Sequence, residues 1–271
     1  MKSRSGRTLV NLLWSGGWDS TFRLLQLVLK EKEVVQPYYL IDSKRESLWN
    51  EIKARREIQD RLVSEYPYTK ELILPTIYYS VGDIELDEEI TRAYNVYRSL
   101  KEVDYQYSWI ALFCKQFNIN DMELCIEARN SNLVLPPPQR LVFSSFLVLV
   151  ESIFEVVIAE EFKDTVVQTL FRFFRFPIRG YTRKAMEEFA EREGWRDYLY
   201  MTWFCHYPVR GRYPCGTCNP CKLVIKKGYG HRIPWYRRLH NWMGLDRVRV
   251  RAAKLIRRIN PKFHKLIMQV Q

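Results

Sequence analysis

The segment from Leu9 to Lys30 constrains this chain more than any other. An apolar run, Leu9 to Trp14 (LVNLLW), stops at Gly16-Gly17, and Leu24, Leu25, Val28 and Leu29 then recur at helical spacing between Thr21 and Lys30. That is a strand, a tight loop and a helix. The same alternation continues downstream. Val34 to Ile41 (VVQPYYLI) reads as a second strand ending at Asp42, although Pro37 is awkward for a central position. Ser47 to Tyr66 reads as a charged amphipathic helix, Glu71 to Tyr78 as a third strand, Glu88 to Phe117 as one long helix and Met122 to Ala128 as a fourth strand. Pro136-Pro137-Pro138 forces an extended connection, and Arg140 to Glu161 reads as another helix. Phe171 to Pro177 is the last expected sheet element. Thr182 to Glu193 follows as a helix, with a Thr cap and Gly194 as its stop. Strands alternating with helices predict an α/β fold, a parallel sheet with helices on both faces.

The loop Ser15-Gly16-Gly17-Trp18-Asp19-Ser20 joins the first strand to the first helix. Unpaired backbone N–H groups and the helix dipole favour an anion there. Glycines let the backbone approach phosphate oxygens, and the hydroxyls of Ser15 and Ser20 can donate to them. The Asp19 carboxylate repels phosphate directly but suits a Mg²⁺ that bridges phosphates. The lysine of G-x-x-x-x-G-K-[ST] is missing, which excludes a kinase or GTPase P-loop.

Cys205, Cys215, Cys218 and Cys221 crowd four thiols into 17 residues. Four soft ligands fit a closed tetrahedral Zn²⁺ site of structural role. A C-x2-C-x2-C run also occurs in iron–sulfur proteins, and His206 beside Cys205 is a further ligand candidate. Cys114 and Cys125 sit in apolar stretches and read as core residues. With no export signal, this cysteine usage points to a reducing cytoplasm. The longest apolar run, Leu141 to Val150, is interrupted by Ser144 and Ser145, so no membrane role is expected.

The S-G-G-x-D-S run resembles the PP-loop of the ATP pyrophosphatases, enzymes that adenylate a carbonyl or carboxylate and release pyrophosphate. Paired with a C-terminal four-cysteine cluster, it resembles the 7-cyano-7-deazaguanine synthase family of the queuosine pathway. Thr202-Trp203-Phe204-Cys205-His206-Tyr207 is similar to that family's T-W-S-C-Y, and Cys215-Gly216-Thr217-Cys218-Asn219-Pro220-Cys221 to its C-G-x-C-x-x-C. Pro177 through Thr182-Arg183-Lys184 resembles its Pro-Leu run ending in Ser/Thr-Lys.

The resemblance implies an adenine nucleotide alpha hydrolase-like sheet that binds ATP, Mg²⁺ and Zn²⁺. Ser15, Gly16, Gly17, Asp19, Ser20 and Thr21 would hold the nucleotide, and Asp19 and Lys184 would be catalytic, Lys184 near the phosphates. The implied reaction activates a 7-deazaguanine carboxylate as its adenylate, takes ammonia to form an amide and dehydrates the amide to a nitrile with further ATP. The acceptor pocket departs from the family. Ala128, Asn130 and Arg140 align, but two family aspartates are missing, and Gln106-Tyr107-Ser108-Trp109 stands where an Arg-Asn pair is expected. That pattern implies a divergent member with another small-molecule acceptor, as in synthase-like proteins of anti-phage defence systems. A tRNA-modifying PP-loop enzyme and a non-catalytic nucleotide-binding subunit of a larger assembly are the other readings.

Charge divides the chain. The formal net charge is +12, yet residues 222–271 hold 14 Lys and Arg against the single acid Asp246, leaving 29 basic and 30 acidic side chains in residues 1–221. From Asp246 the sequence DRVRVRAAKLIRRI predicts a helix with Arg247, Arg251, Lys254 and Arg258 on one face. Trp235, Tyr236, Arg237, Arg238 and Trp242 interleave rings and cations ahead of it. This segment suits an anionic partner, either nucleic acid or an acidic protein. The expected organisation is an ATP-binding domain over residues 1–200, then a metal knot and basic helical segment over residues 201–271. A homodimer is compatible with both.

Overall fold

The computed structural model describes residues 8–100, 105–127, 147–150, 155–158 and 165–242. Two compact units separate. The first takes the chain through Ser43 and then Ala54–Thr202, and the second takes Lys44–Lys53 and the chain from Trp203 onward.

The first unit is built on a five-stranded, all-parallel sheet. Its strands are β1 (Leu9–Leu13), β2 (Val34–Ile41), β3 (Ile77–Ser80), β4 (Met122–Glu123) and β7 (Phe174–Arg175), in the order β3-β2-β1-β4-β7. The chain walks outward from β1 to β3, then crosses back to the other side of β1 for β4 and β7. The order therefore reverses between β1 and β4, and in open α/β sheets the crevice at the carboxyl ends of such a pair is where ligands bind.

Both faces of the sheet are covered, as residues of β2 show. Alternate side chains of a strand point to opposite faces. Tyr38 and Leu40 join a buried cluster with helices α4 (Glu88–Leu100), α5 (Gln106–Gln116) and α6 (Val166–Phe171). The intervening Tyr39 meets Arg55 of α2 (Leu48–Glu65), whose guanidinium lies 4.8 Å from its ring and 4.7 Å from that of Trp14. The cluster is rich in aromatics. Phe171 is fully buried, with Tyr107 at 5.6 Å and Tyr97 at 6.1 Å between ring centroids. Helix α1 (Trp18–Leu25) runs on as a π-helical turn, Gln26–Glu31, and its Phe22 packs edge-on against Phe189 of α7 (Arg183–Arg192).

Pro37 is tolerated in β2 because of a break in its neighbour. Val35 pairs with Ile73 in an isolated bridge, and β3 pairing resumes only at Tyr38 opposite Ile77, so the two residues of β2 between them face three of the partner. The Val35 carbonyl accepts from Leu74 N–H on that side, and by the two-residue period Pro37 faces the same way, opposite the interruption at Pro75. The missing donor thus falls where no ladder bond is due.

Several expected elements differ. The third strand begins at Ile77 rather than Glu71, because Thr69–Leu72 forms the short helix α3 and Pro75 breaks the run behind it. Helix is found at Glu88–Leu100 and again at Gln106–Gln116, in place of one long element. Only Met122–Glu123 of the fourth strand pairs in the sheet. The helix expected over Arg140 to Glu161 is contradicted: Leu147–Val150 (β5) and Glu155–Ile158 (β6) pair as antiparallel strands. Both are rich in valine, whose branched Cβ favours strand, and short apolar runs do not distinguish helix from strand by period. The α7 expectation is met: Thr182 caps it by accepting from Ala185 N–H at 3.1 Å, and Gly194 follows with φ of +78°, ahead of the short helix α8 (Arg196–Tyr200). The basic helix expected from Asp246, and Ala128, Asn130 and Arg140, lie outside the described residues.

In the second unit a turn bridged at Val209 and Tyr213 precedes helix α9 (Asn219–Lys226), and α10 (Trp235–Trp242) closes the described chain. Among the described residues no helix is long and apolar enough to cross a membrane.

Candidate functional site

The glycine loop leaves the carboxyl end of β1 at the point where the strand order reverses. Gly16 has φ of +75°, a left-handed turn that glycine adopts without cost and that lets the chain swing directly into α1. Hydroxyls fasten the loop: Ser15 N–H donates to Ser20 Oγ at 3.3 Å, the Ser15 and Ser20 hydroxyls lie 3.2 Å apart, and Gly17 N–H donates to Ser15 Oγ at 3.3 Å. Ser20 Oγ also reaches the Gly17 carbonyl at 3.4 Å. Thr21 is fully buried beneath the loop, where its hydroxyl accepts from Trp14 Nε1 at 3.1 Å. The side chains at 15, 20 and 21 therefore shape the loop from within.

Three carboxyl strand ends deliver charge to this loop. Asp19 lies in the first turn of α1, next to the positive end of that helix. Glu127 follows β4, and Arg179 and Arg183 follow β7. The Arg183 guanidinium spans the two carboxylates, with Nη2 3.4 Å from Asp19 Oδ1 and Nε 3.5 Å from Glu127 Oε2. It also lies over the Trp18 ring, 5.3 Å from the centroid, and Arg179 Nη1 donates to the Glu127 carbonyl at 2.6 Å. Arg183 and Glu127 are nearly buried, and Asp19 is only partly exposed. The arrangement sets carboxylates, a ligand type suited to a divalent cation, beside a planar guanidinium, a group suited to phosphate oxygens.

Lys184 is placed elsewhere. Its side chain is 83% exposed on α7 and pairs with Glu188 one turn on, at 3.6 Å. Glu127, Arg179 and Arg183 are the members of this cluster that the sequence reading missed. A signal for Arg183 was present: in the Ser/Thr-Lys pattern the cation directly follows the hydroxyl residue, and after Thr182 that position is Arg183.

Beside the cleft, Arg23 makes a two-pronged ion pair with Glu123 of β4, at 2.8 and 3.0 Å, and its remaining nitrogen reaches Glu31 at 2.6 Å. Burial pushes the Glu123 carboxyl up and Arg23 pulls it back down. Burial, then the Glu123 and Asp19 carboxylates, push the Cys125 thiol well above its ordinary range, and burial does the same to Cys114. Both remain protonated thiols; Cys114 is buried as expected of a core residue, whereas Cys125 is only partly buried.

In the second unit the four expected cysteines converge, with every Sγ within 4.8 Å of the others. Cys215 and Cys221 sulfurs are 3.8 Å apart, and those of Cys205 and Cys218 3.9 Å. Four sulfurs bound to one zinc at about 2.3 Å lie about 3.8 Å apart along the edges of their tetrahedron. The two opposite edges match that spacing, so the cluster could hold a metal such as zinc.

The local fold explains the convergence. Gly216 turns with φ of +81°, which aims the Thr217 and Cys218 N–H groups at Cys215 Sγ, at 3.4 and 3.3 Å. Cys218 then occupies the N-cap position of α9, which places Cys221 in the first turn of that helix. Cys215 N–H donates to Cys205 Sγ at 3.1 Å. Hydrogen bonds from the neighbouring thiols pull Cys215 far below the ordinary thiol range and Cys218 to about 6, while Cys205 and Cys221 move up. The group thus shares its protons, and a bound cation would displace those that remain. His206 is exposed, and the cluster is made of the four cysteines alone among the described residues.

No protein-family model matches the chain, and a search of curated proteins returns no match.

Proposed function

We propose that this chain is an ATP-dependent carbon–nitrogen ligase of the PP-loop type, resembling the 7-cyano-7-deazaguanine synthases, with an adenine nucleotide alpha hydrolase-like sheet. The observation that carries the reading is the S-G-G-W-D-S loop at the strand-order reversal, facing Arg183 across Asp19 and Glu127. In this reading an acceptor carboxylate attacks the α-phosphorus of ATP, pyrophosphate leaves, and ammonia displaces AMP to give an amide. Asp19 would hold a Mg²⁺, and that ion would supply positive charge to offset the departing pyrophosphate. The Gly16-Gly17 backbone would cradle the phosphates, and Arg183 would exchange its contact with Asp19 for the leaving group while Glu127 kept its Nε side oriented. Lys184, on the outer face of α7, would approach the phosphates only by leaving Glu188.

The cysteine cluster is read as a structural zinc site. Thiolates of a four-iron cluster each bind a different iron and so stand further apart than ligands of one ion, whereas the spacings of 3.8 and 3.9 Å suit a single tetrahedral metal. Cys205, Cys215, Cys218 and Cys221 fill all four positions and leave none for substrate.

Pyrophosphate and AMP release from Mg-ATP tests the ligase reading, with ammonium and either 7-carboxy-7-deazaguanine or tRNA as acceptor and Asp19→Ala as the control. Release above that control with the deazaguanine supports the synthase-type reading. Release with tRNA alone moves the acceptor to a nucleobase. No release above Asp19→Ala with any acceptor defeats the enzyme reading.

A further inference from the structure

We propose that the second unit binds single-stranded nucleic acid on exposed aromatic rings and cations arranged around the cysteine knot. This rests on the surface of that unit and is independent of the ligase reading. The 40 residues Trp203–Trp242 carry eight Lys and Arg and no Asp or Glu. A solvated surface ordinarily mixes both signs, so a one-signed field of this density favours a polyanion. Charge by itself would serve an acidic protein equally well. The rings decide between them.

Large aromatic side chains normally bury their faces. Here Trp235 is 70% exposed, Tyr207 58%, Tyr213 46% and Tyr236 43%. Exposed cations lie close by in sequence: Arg210 and Arg212 between the two tyrosines, Lys222 and Lys226 on α9, and Arg238 one turn beyond Trp235. Flat rings offered to solvent among phosphate-reading cations form a stacking platform for unpaired bases, and an acidic peptide would leave those faces uncovered. A duplex hides its base faces and would also leave them bare.

The platform is held firmly. Arg237 of α10 donates from Nε to the Cys215 carbonyl at 3.1 Å, and its own carbonyl packs so close to Gly216 that a Cβ there would approach it to 2.8 Å. The helix that presents Trp235 and Tyr236 is thereby seated on the Cys215–Cys218 turn. Arg232 lies over the Phe204 ring at 4.9 Å and closes the other side. Rings on a seated helix lose little freedom when a base stacks on them.

The test is fluorescence anisotropy of the full-length, metal-loaded chain with a labelled single-stranded RNA, the matching single-stranded DNA, the RNA duplex and polyglutamate, across a salt series. Tighter binding of the single strands than of duplex and polyglutamate is expected, and the RNA and DNA arms show which sugar is preferred. Trp235→Ala should weaken single-strand binding by about 5- to 100-fold with an unchanged salt slope. Trp235→Phe should restore most of it. Arg238→Ala should lower the slope of log affinity against log salt by about 0.7. Metal content checks that each variant keeps the knot, and where Trp235→Ala loses it, Trp235→Phe and Arg238→Ala decide. Equal binding of polyglutamate would assign the surface to an acidic protein. Equal binding of duplex, or no loss in Trp235→Ala with its metal retained, would remove the stacking platform.

Discussion

Arg183 stands between two carboxylates and is nearly buried, so a neutral replacement leaves Asp19 and Glu127 facing each other across the cleft without their shared cation. If the pyrophosphate leaves past this point, Arg183→Ala should lower kcat/KM for ATP by about 100-fold, the cost of removing one preorganised donor to a developing anion. Arg183→Lys should fall between, since it keeps the charge and loses the planar fork. Lys184→Ala should cost less than Arg183→Ala, and the reverse ranking in a pyrophosphate-release assay would return the role to Lys184. A second residue carries a different burden. Gly216 needs both its positive φ and its missing Cβ, because Arg237 presses on it. Gly216→Ala should destabilise the second unit by roughly 1–3 kcal/mol and lower its metal affinity, read by thermal melting and by competition with a chromogenic chelator.

At the scale of elements, the start of α4 shows how a cap also ties two helices. Asp87 Oδ1 accepts from Ile90 N–H at 3.0 Å, and Oδ2 accepts from Lys115 Nζ of α5 at 2.6 Å. The Lys115 hydrogen bond and then the Ile90 N–H hold the Asp87 carboxyl below its ordinary value. A carboxylate lowered on folding contributes stability above its unfolded pKa and loses it as pH falls through the folded value. Urea denaturation should therefore show Asp87→Asn less stable than the parent at about pH 6, with the gap closing at about pH 3 and below. Legibility followed the same elements. Strand β1, the glycine loop and the capped α7 were readable because apolar period, Gly16-Gly17 and Thr182 all pointed one way. Residues 147–158 were not, because a valine-rich run satisfies helix and strand alike, and pairing between Leu147–Val150 and Glu155–Ile158 is a property of two segments together. Glu127 and Arg183 escaped for a related reason: 56 residues separate them, and only the order β1-β4-β7 brings them to one cleft.

On the scale of the whole molecule, the two units are stabilised differently. The first owns a continuous aromatic core, Phe113, Phe171, Phe174 and Phe176 among it. In the second, the described buried apolar residues beyond the cysteines are few, notably Val224, Tyr229 and Ile233. For the small cluster these described residues form, a metal cross-link at the cysteines would add much of the stability. Elemental analysis should find one zinc per chain. Its removal by a strong chelator should open the chain after Trp203 to limited proteolysis while the parallel sheet keeps its far-ultraviolet signal. An iron–sulfur absorption band would replace that account. The second unit also draws on Lys44–Lys53, and Asn50 Nδ2 meets the Gly211 carbonyl at 2.9 Å across 161 residues of sequence. On a ribosome adding about 5–20 residues per second, Asn50 emerges roughly 10–30 s before that partner exists. The second unit must therefore finish last, and a chain stopped short of the cysteines leaves Lys44–Lys53 waiting for contacts that never arrive.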